Sequence, residues 1–438
     1  MPDMTVIISG GRIAALGKTP QLHAPNDAQV VDAKGKFLIP GLWDMHVHIG
    51  VTGLSYAPYF PLFIANGITG VRDMGGILHL GQFMVWRQAI EQGRLLGPRL
   101  VMAGAIVDGP RPVRPYLSIA VDSAADGRLA VDSLERAGAD FVKVYSEIPR
   151  DAYFAIADEA RKQGIVFAGH VPDSVTAVEA SDAGQKSIEH LTGVALTFAT
   201  QETALRAKLK QELTEDFTPD ANNETHGRID AEALDSYSSQ KAAKVFARLV
   251  KNGTWQCPTL IALRDASLVD ESRLTEELKY MPSLMKLWNT NGHIQRQDRN
   301  AEDGALQRRR FLRELELVKD MQQAGVEFLA GTDTPTPYGI PGFSLHEELE
   351  LMVKAGLTPM QALQTATLNP ARYLGQQQQL GTIGAGKLAD LVLLDANPLE
   401  DIRNTQKIHA VMVRGRLLDR KKLDQLLAQA AVAGHRKS

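Results

Sequence analysis

A chain of 438 residues, 44% hydrophobic and 23% charged, has the balance of an ordinary globular protein and room for one large barrel-type domain with a smaller satellite. Its net charge of −3 gives no global attraction to nucleic acid or to an anionic membrane surface, and no basic stripe argues for either partner. The single cysteine, Cys257, excludes an intrachain disulfide and a cysteine-based zinc site.

Met1-Pro2-Asp3-Met4 lacks the charged and apolar regions of a leader and runs almost at once into strand-like sequence. An upstream strand or export signal is therefore expected to precede this sequence. As it stands the chain reads as cytoplasmic, or as periplasmic or secreted if a signal had been removed. No segment approaches the roughly 20 apolar residues of a membrane span, so no membrane insertion is expected.

Residues 5–8, the turn Ser9-Gly10-Gly11 and residues 12–17 read as a β-hairpin, and residues 29–32 as a further strand. The apolar run from Phe37 to His48 reads as one buried strand. Short apolar strands then alternate with helices: 68–73, 99–104, 140–145, 165–170, 186–190, 254–260 and 326–333. With the strand at His46 these make eight βα units, an α/β chain folded as a (β/α)8 TIM barrel over residues 37–380. A doubly wound open sheet is the alternative, but no G-x-G-x-x-G loop follows the first strand. Polar, helical insertions at about 194–252 and 264–323 follow strands six and seven, where covers of active sites are found. The run Arg308-Arg309-Arg310 within the second reads as a solvated helix face. The β signals return near 391–395 and 408–415. They are expected to pair with the N-terminal hairpin in a small β-sandwich made of residues 1–36 and 381–420, leaving 421–438 as a helix and frayed tail.

In His46-Val47-His48, alternation along a strand sends both imidazoles from one face, which is half of a divalent-metal site. Lys143, His170, His190 and Asp333 stand at the ends of four other strands. All strands of a barrel point the same way, so these side chains converge with His46 and His48 at one mouth. Singly each has a plain structural reading: a hydrogen-bonded histidine, a lysine snorkelling to the rim, an aspartate in a turn. Jointly they point to metal. Asp44, deeper on the same strand face, is expected to orient a ligand imidazole. Tyr145 leaves the same face as Lys143 nearer the rim, either to bind substrate or to pack under a loop. Arg72, with Asp73, reads as an internal rim salt bridge or a carboxylate clamp, His346 as a helix-surface residue or one approaching the mouth, and His293 as a lid residue.

These motifs, His46-x-His48 after Pro-Gly-Leu-Trp-Asp, Lys143 in Val-Lys-Val-Tyr, His170 in Gly-His-Val-Pro, His190 in Ile-Glu-His and Asp333 in Gly-Thr-Asp, resemble the metal-dependent amidohydrolase superfamily. So does the tail from Ala366-Thr367-Leu368-Asn369-Pro370 to Gly386-Lys387-Leu388-Ala389-Asp390. The likeness runs from about residue 5 to 416 and is closest to the imidazolonepropionase-like and X-Pro dipeptidase-like branch. It departs at the N-terminus, where members carry an additional strand. The resemblance implies one metal held by His46, His48 and Asp333 and a second by His170 and His190. Lys143, carboxylated by CO2, would bridge the two. Zinc is the first expectation, with Mn, Co or Fe open. It further implies hydrolysis by a metal-bridging hydroxide, with Asp333 moving the proton and Tyr145 assisting. The branch includes dipeptidases and hydrolases of ochratoxin-type amides. The expected substrate is therefore a small acyl-amino acid or dipeptide, and the expected assembly a homo-oligomer. A cyclic amidohydrolase or deaminase is the alternative, as is a lactonase or esterase; a catalytically silent scaffold is disfavoured because every ligand position is filled.

Overall fold

The computed structural model describes residues 3–50, 59–76, 79–267, 276–281, 301–336 and 338–435. Leu42–Val47 and Ile68–Asp73 are buried at every residue, as expected of parallel strands covered on both faces. They pair with each other and then with Arg99–Met102. Asp140 N–H donates to Met102 O at 2.9 Å, carrying the wall on to Phe141–Val144, which also pairs with Ile106–Asp108, Ile106 lying opposite Lys143. Val166–Gly169, Ser187–Glu189 and Trp255–Cys257 follow in sequence order. The eighth segment bridges Gln256 through Phe328 and Val47 through Thr334. Met45 N–H donates to Ala330 O at 2.8 Å, closing eight strands into a (β/α)8 barrel.

The run from Phe37 to His48 is two strands, not one. Phe37–Pro40 pairs antiparallel with Leu391–Leu394 in a four-stranded sheet with Ile408–Val413 and Arg416–Asp419. The barrel strand begins only after Gly41. The small sheet therefore takes residues 37–40, which the sequence reading had given to the barrel. The hairpin of Met4–Ser9 and Arg12–Lys18 forms its own two-stranded sheet. Backbone bonds from Ile13 N to Lys387 O and from Gly386 N to Ile13 O, both 2.8 Å, join it to the C-terminal segment, and Ile13, Ala389 and Leu391 fill the contact. Residues 29–32 form no strand: Val30 is 76% exposed, and an apolar alternation without a face to bury stays unpaired. The expected C-terminal helix is present as Arg420–His435, which buries Leu423, Leu426 and Ala430 and packs on Tyr59–Ala65.

The first insertion holds helices Glu202–Glu215 and Pro219–Asp235, after which Ser239–Asn252 returns to the outer ring beside Ala177–Asp182. Ala301–Gln323 packs on Pro219–Asp235. Two arginines of the basic run fasten that contact, Arg309 to Asp235 at 3.0 Å and Arg310 to Asp230 at 3.1 Å. Arg308 and Arg309 stay exposed, as expected of a solvated face, while Arg310, largely buried, departs from it as an inter-helix tie. Among the described residues no helix is long and apolar enough to cross a membrane.

Gly169 ends the fifth barrel strand at φ 143°, and a Cβ there would lie 2.1 Å from Val144 O. Both conditions demand glycine. Gly169→Ala is expected to lower the thermal unfolding midpoint by at least about 3 °C, read by differential scanning fluorimetry.

Candidate metal centre

The strand ends deliver the expected residues to one place. His46 Nε2 and His48 Nε2 each lie 3.1 Å from Asp333 Oδ1. The His46 ring is centred 4.6 Å from that of His190, which is 5.1 Å from His170. Three backbone irregularities aim these side chains. His190 (φ 57°) and Asp333 (φ 60°) occupy the left-handed region, and His170 follows Gly169. A strand in regular alternation would send Glu189 and His190 to opposite faces; the left-handed turn at His190 brings both inward. Such conformations cost on the order of 1–3 kcal/mol each and persist where the surroundings enforce them.

All four histidines spend Nδ1 on the protein. His46 Nδ1 meets Glu189 Oε2 at 2.8 Å, His48 Nδ1 donates to Gly75 O at 2.6 Å, and His170 Nδ1 lies 2.9 Å from Ser146 Oγ. His190 Nδ1 meets Thr259 Oγ1 at 2.6 Å; because that hydroxyl donates to Pro258 O, the imidazole is the donor. Nε2 is thus left toward the centre, the arrangement by which proteins orient metal-binding imidazoles. Burial pushes His190 down to about 3 against the pull of Asp333, and burial, then the neighbouring Lys143, pushes His170 well below its usual range. Both are neutral and fit to ligate. Burial also lowers Lys143 to about 8, against the pull of Glu189 and Asp333. Burial would raise the Asp333 carboxyl, but the imidazoles, His190 foremost, hold it well below the usual carboxylate range.

Two buried atoms of the cluster, Lys143 Nζ and His170 Nε2, have no hydrogen-bond partner among the described residues, and His46 Nε2 faces Asp333 Oδ1. Buried polar atoms are rarely left so, and a nitrogen and oxygen donor set around them fits a divalent cation. His46, Glu189 and Cys257 also gather within metal-ligand distance. That group is spent: Glu189 is bonded to Arg72 and Ser187, and burial holds the Cys257 thiol protonated.

Glu189 is the residue the sequence reading missed. It is wholly buried, accepts from Arg72 Nη2 at 2.9 Å through both oxygens, and receives Ser187 Oγ at 2.5 Å. Burial would raise its carboxyl, but Arg72 and His46 keep it ionised. Its position beside His190 on a fully buried strand was the available signal. Arg72 forms an internal salt bridge, with Glu189, but lies beneath the rim. Its side chain is fully buried below the centre, donating to Met45 O at 2.6 Å, Ser187 Oγ at 2.9 Å and Tyr373 OH at 2.9 Å, and does not reach the mouth. Asp44 touches no imidazole; it accepts from His46 N, Thr332 N and Thr332 Oγ1, fixing the backbone on either side of the ligand pair. His346 also fails its expectation. It is buried away from the mouth, against Thr405 Oγ1 and Asn66 O, because its helix turns that face to the residues around the small sheet. His293 lies outside the described residues. Tyr145 stands where expected, its ring stacked on His170 with centroids 3.9 Å apart, and burial pushes its hydroxyl up to about 12.

The inserted helices are clasped to this mouth. His226 Nε2 lies 3.0 Å from both oxygens of Asp173, and Nδ1 lies 2.8 Å from Asn222 O. With acceptors at both nitrogens the ring is an imidazolium; burial opposes the charge, but Asp173 raises its pKa to about 9. Asn222 Nδ2 also reaches Glu147 Oε1 at 3.3 Å.

The amidohydrolase family model matches residues 37–418. Ochratoxinase of Aspergillus niger is 26% identical over 435 residues, covering 85% of this chain and 73% of the relative. Among solved structures, a bottromycin amidohydrolase aligns with a TM-score of 0.72 at 21% identity, covering 98% of this chain and 85% of its own. A Xaa-Pro dipeptidase with bound methionine in its active site aligns at 0.66 with 21% identity, covering 95% of each chain. The structural likenesses show the shared fold.

Glu189→Gln should weaken divalent-cation binding about 10- to 100-fold in competition titrations, since the amide no longer balances Arg72 or holds His46 as a carboxylate does. The His226 clasp has a folded pKa above the ordinary 6.5. Its stabilisation is therefore complete below about pH 6.5 and lost as pH rises through about 9. Hydrogen exchange in residues 202–235 is expected to quicken across that window, and His226→Gln to flatten the response.

Proposed function

The chain belongs to the amidohydrolase family, and from that premise we propose that it hydrolyses the amide bond of a small acyl-amino acid or dipeptide-like substrate, using two divalent cations at the barrel mouth. One observation carries this reading: four histidines commit Nδ1 to the protein and keep Nε2 for the centre, two of them 3.1 Å from Asp333 Oδ1, in a cluster where buried Lys143 Nζ has no hydrogen-bond partner among the described residues. His46, His48 and Asp333 would hold one cation, and His170 and His190 the other. A protonated lysine cannot stand between two cations. Lys143, its pKa already brought to about 8 by burial, would react as the free amine with CO2, losing a proton and becoming an anionic carbamate that bridges them. The donor set favours zinc, with Mn, Co or Fe by availability.

Bound cations supply Lewis-acid polarisation of the scissile carbonyl and a water-derived nucleophile at neutral pH. Asp333 supplies the proton path. Its Oδ1 faces His46 and His48, leaving Oδ2 to take the proton of the attacking water and pass it to the departing amine nitrogen. Tyr145, protonated throughout the working range, donates toward the substrate. Glu189 and Thr259 keep His46 and His190 in one tautomer and one orientation. The clasped helices over strands four and five narrow the mouth and favour small substrates. The similarity to an ochratoxinase and to a Xaa-Pro dipeptidase supports this substrate class.

Metal analysis of active enzyme is expected to give two equivalents per chain, and a screen of N-acyl amino acids and X-Pro dipeptides to yield turnover. Lys143→Ala should lose at least one metal and turnover by about 10³-fold or more. One metal per fully active chain would sink the two-cation mechanism and favour a cyclic-amide hydrolase or deaminase.

A further inference from the structure

The segment Gly109-Pro110-Arg111-Pro112-Val113-Arg114-Pro115 follows the third strand at the mouth. Three prolines fix φ at their own positions and restrict the residue before each, so this loop has little freedom to lose. Asp108, fully buried, ties it down: its carboxylate accepts from Gly109 N at 2.9 Å, Val113 N at 2.8 Å and Glu147 N at 2.8 Å. The last bond joins the loop to the segment that carries Tyr145. Contact there is close enough that a Cβ on Gly109 would fall 1.9 Å from Glu147 O. Val113 is buried beneath, and Arg114 O accepts from Leu117 N and Ser118 Oγ.

The loop presents two arginines with different fates. Arg111 lies 4.5 Å over the ring of Phe217 on the inserted cap and is used in holding it. Arg114 is half-buried beside the Tyr145 hydroxyl and has no ion pair among the described residues. A guanidinium held by a stiff loop, next to a phenol stacked on His170, is a prepared anion site opening on the reaction centre.

We propose that Arg114 is the anchor for a free α-carboxylate on the substrate, so that the enzyme removes a single C-terminal amino acid from its acyl group. The inference rests on the amide-hydrolase reading above and specifies which amides are taken. The guanidinium fork matches a carboxylate bidentately, and the Tyr145 O–H is the second donor. Hydrolysis then breaks the acyl C–N bond, adds the hydroxyl of water to the acyl carbon and its proton to the amine, and releases an amino acid whose carboxylate stays on Arg114 until it departs. Amides with a blocked C-terminus leave the guanidinium unpaired and are rejected.

The test compares the N-acyl amino acid that the enzyme turns over best with its C-terminal carboxamide. The wild-type enzyme is expected to prefer the acid by at least about 100-fold in kcat/KM. Arg114→Met should lose about 10²- to 10³-fold on the acid, stay within about threefold on the carboxamide, and keep two metals; Arg114→Lys should recover part of the loss. Equal wild-type rates on acid and carboxamide, or a parallel loss on both in a metal-replete variant, would overturn the assignment of Arg114 and leave amide hydrolysis standing. Turnover of cyclic amides or esters alone, with no linear amide cleaved, would overturn both. The wild-type comparison needs no variant, so a misfolded Arg114→Met leaves the proposal open to refutation.

Discussion

The centre depends on one buried chain of charge, from Arg72 through Glu189 to His46. None of the three side chains is exposed to solvent. An ionised carboxylate in such a place is tolerable only because Arg72 meets both of its oxygens, with Ser187 adding a further donor. The same arginine donates to the carbonyl of Met45, the residue before His46. One ion pair therefore sets both the tautomer of the deepest imidazole and the path of the strand that bears it. Removing either partner would leave the other buried and unpaired, a loss of about 3–5 kcal/mol in comparable cases.

Above that foundation, geometry is gained at the strand ends by departing from regular strand. His190, Leu191, Thr259 and Asp333 all carry positive φ. The strained positions fall where side chains must leave the wall of the barrel and turn over its mouth. Thr259 shows how the parts reinforce one another. Its hydroxyl holds His190, while Glu348 accepts from the next two backbone amides, at 3.0 and 2.8 Å, and secures the helix that follows. Burial pushes the Glu348 carboxyl up to about 8. The eighth segment has only single bridges to its neighbours, and Asn369 Nδ2 supports it from outside by donating to Phe328 O at 2.8 Å.

Periodicity made much of this legible. Short apolar strands, spaced by amphipathic helices, announced the barrel, and residues at the ends of those strands could only converge. What periodicity lacks is depth. Arg72 and Glu189 lie on strands buried on both faces, where alternation states which side a residue takes but not whether it sits at the rim or beneath it. The split at Gly41 was hidden for a different reason. An apolar run that serves a barrel and one that serves a sandwich look alike, and the partner that distinguishes them, Leu391–Leu394, is remote in sequence. His346 misled through its neighbourhood: a helix after the last strand offers one face to the mouth and another to the satellite, and only packing decides between them.

The joining of the two chain ends bears on biosynthesis. Phe37–Pro40 leads through Gly41 directly into the strand of His46 and His48, yet its sheet partner belongs to the C-terminal region; the neighbouring contact between Lys36 and Asp395 spans 359 positions. Translation delivers the first histidines long before the residues that seat their strand. A nascent chain thus carries both imidazoles before the strand that seats Phe37–Pro40 has been made.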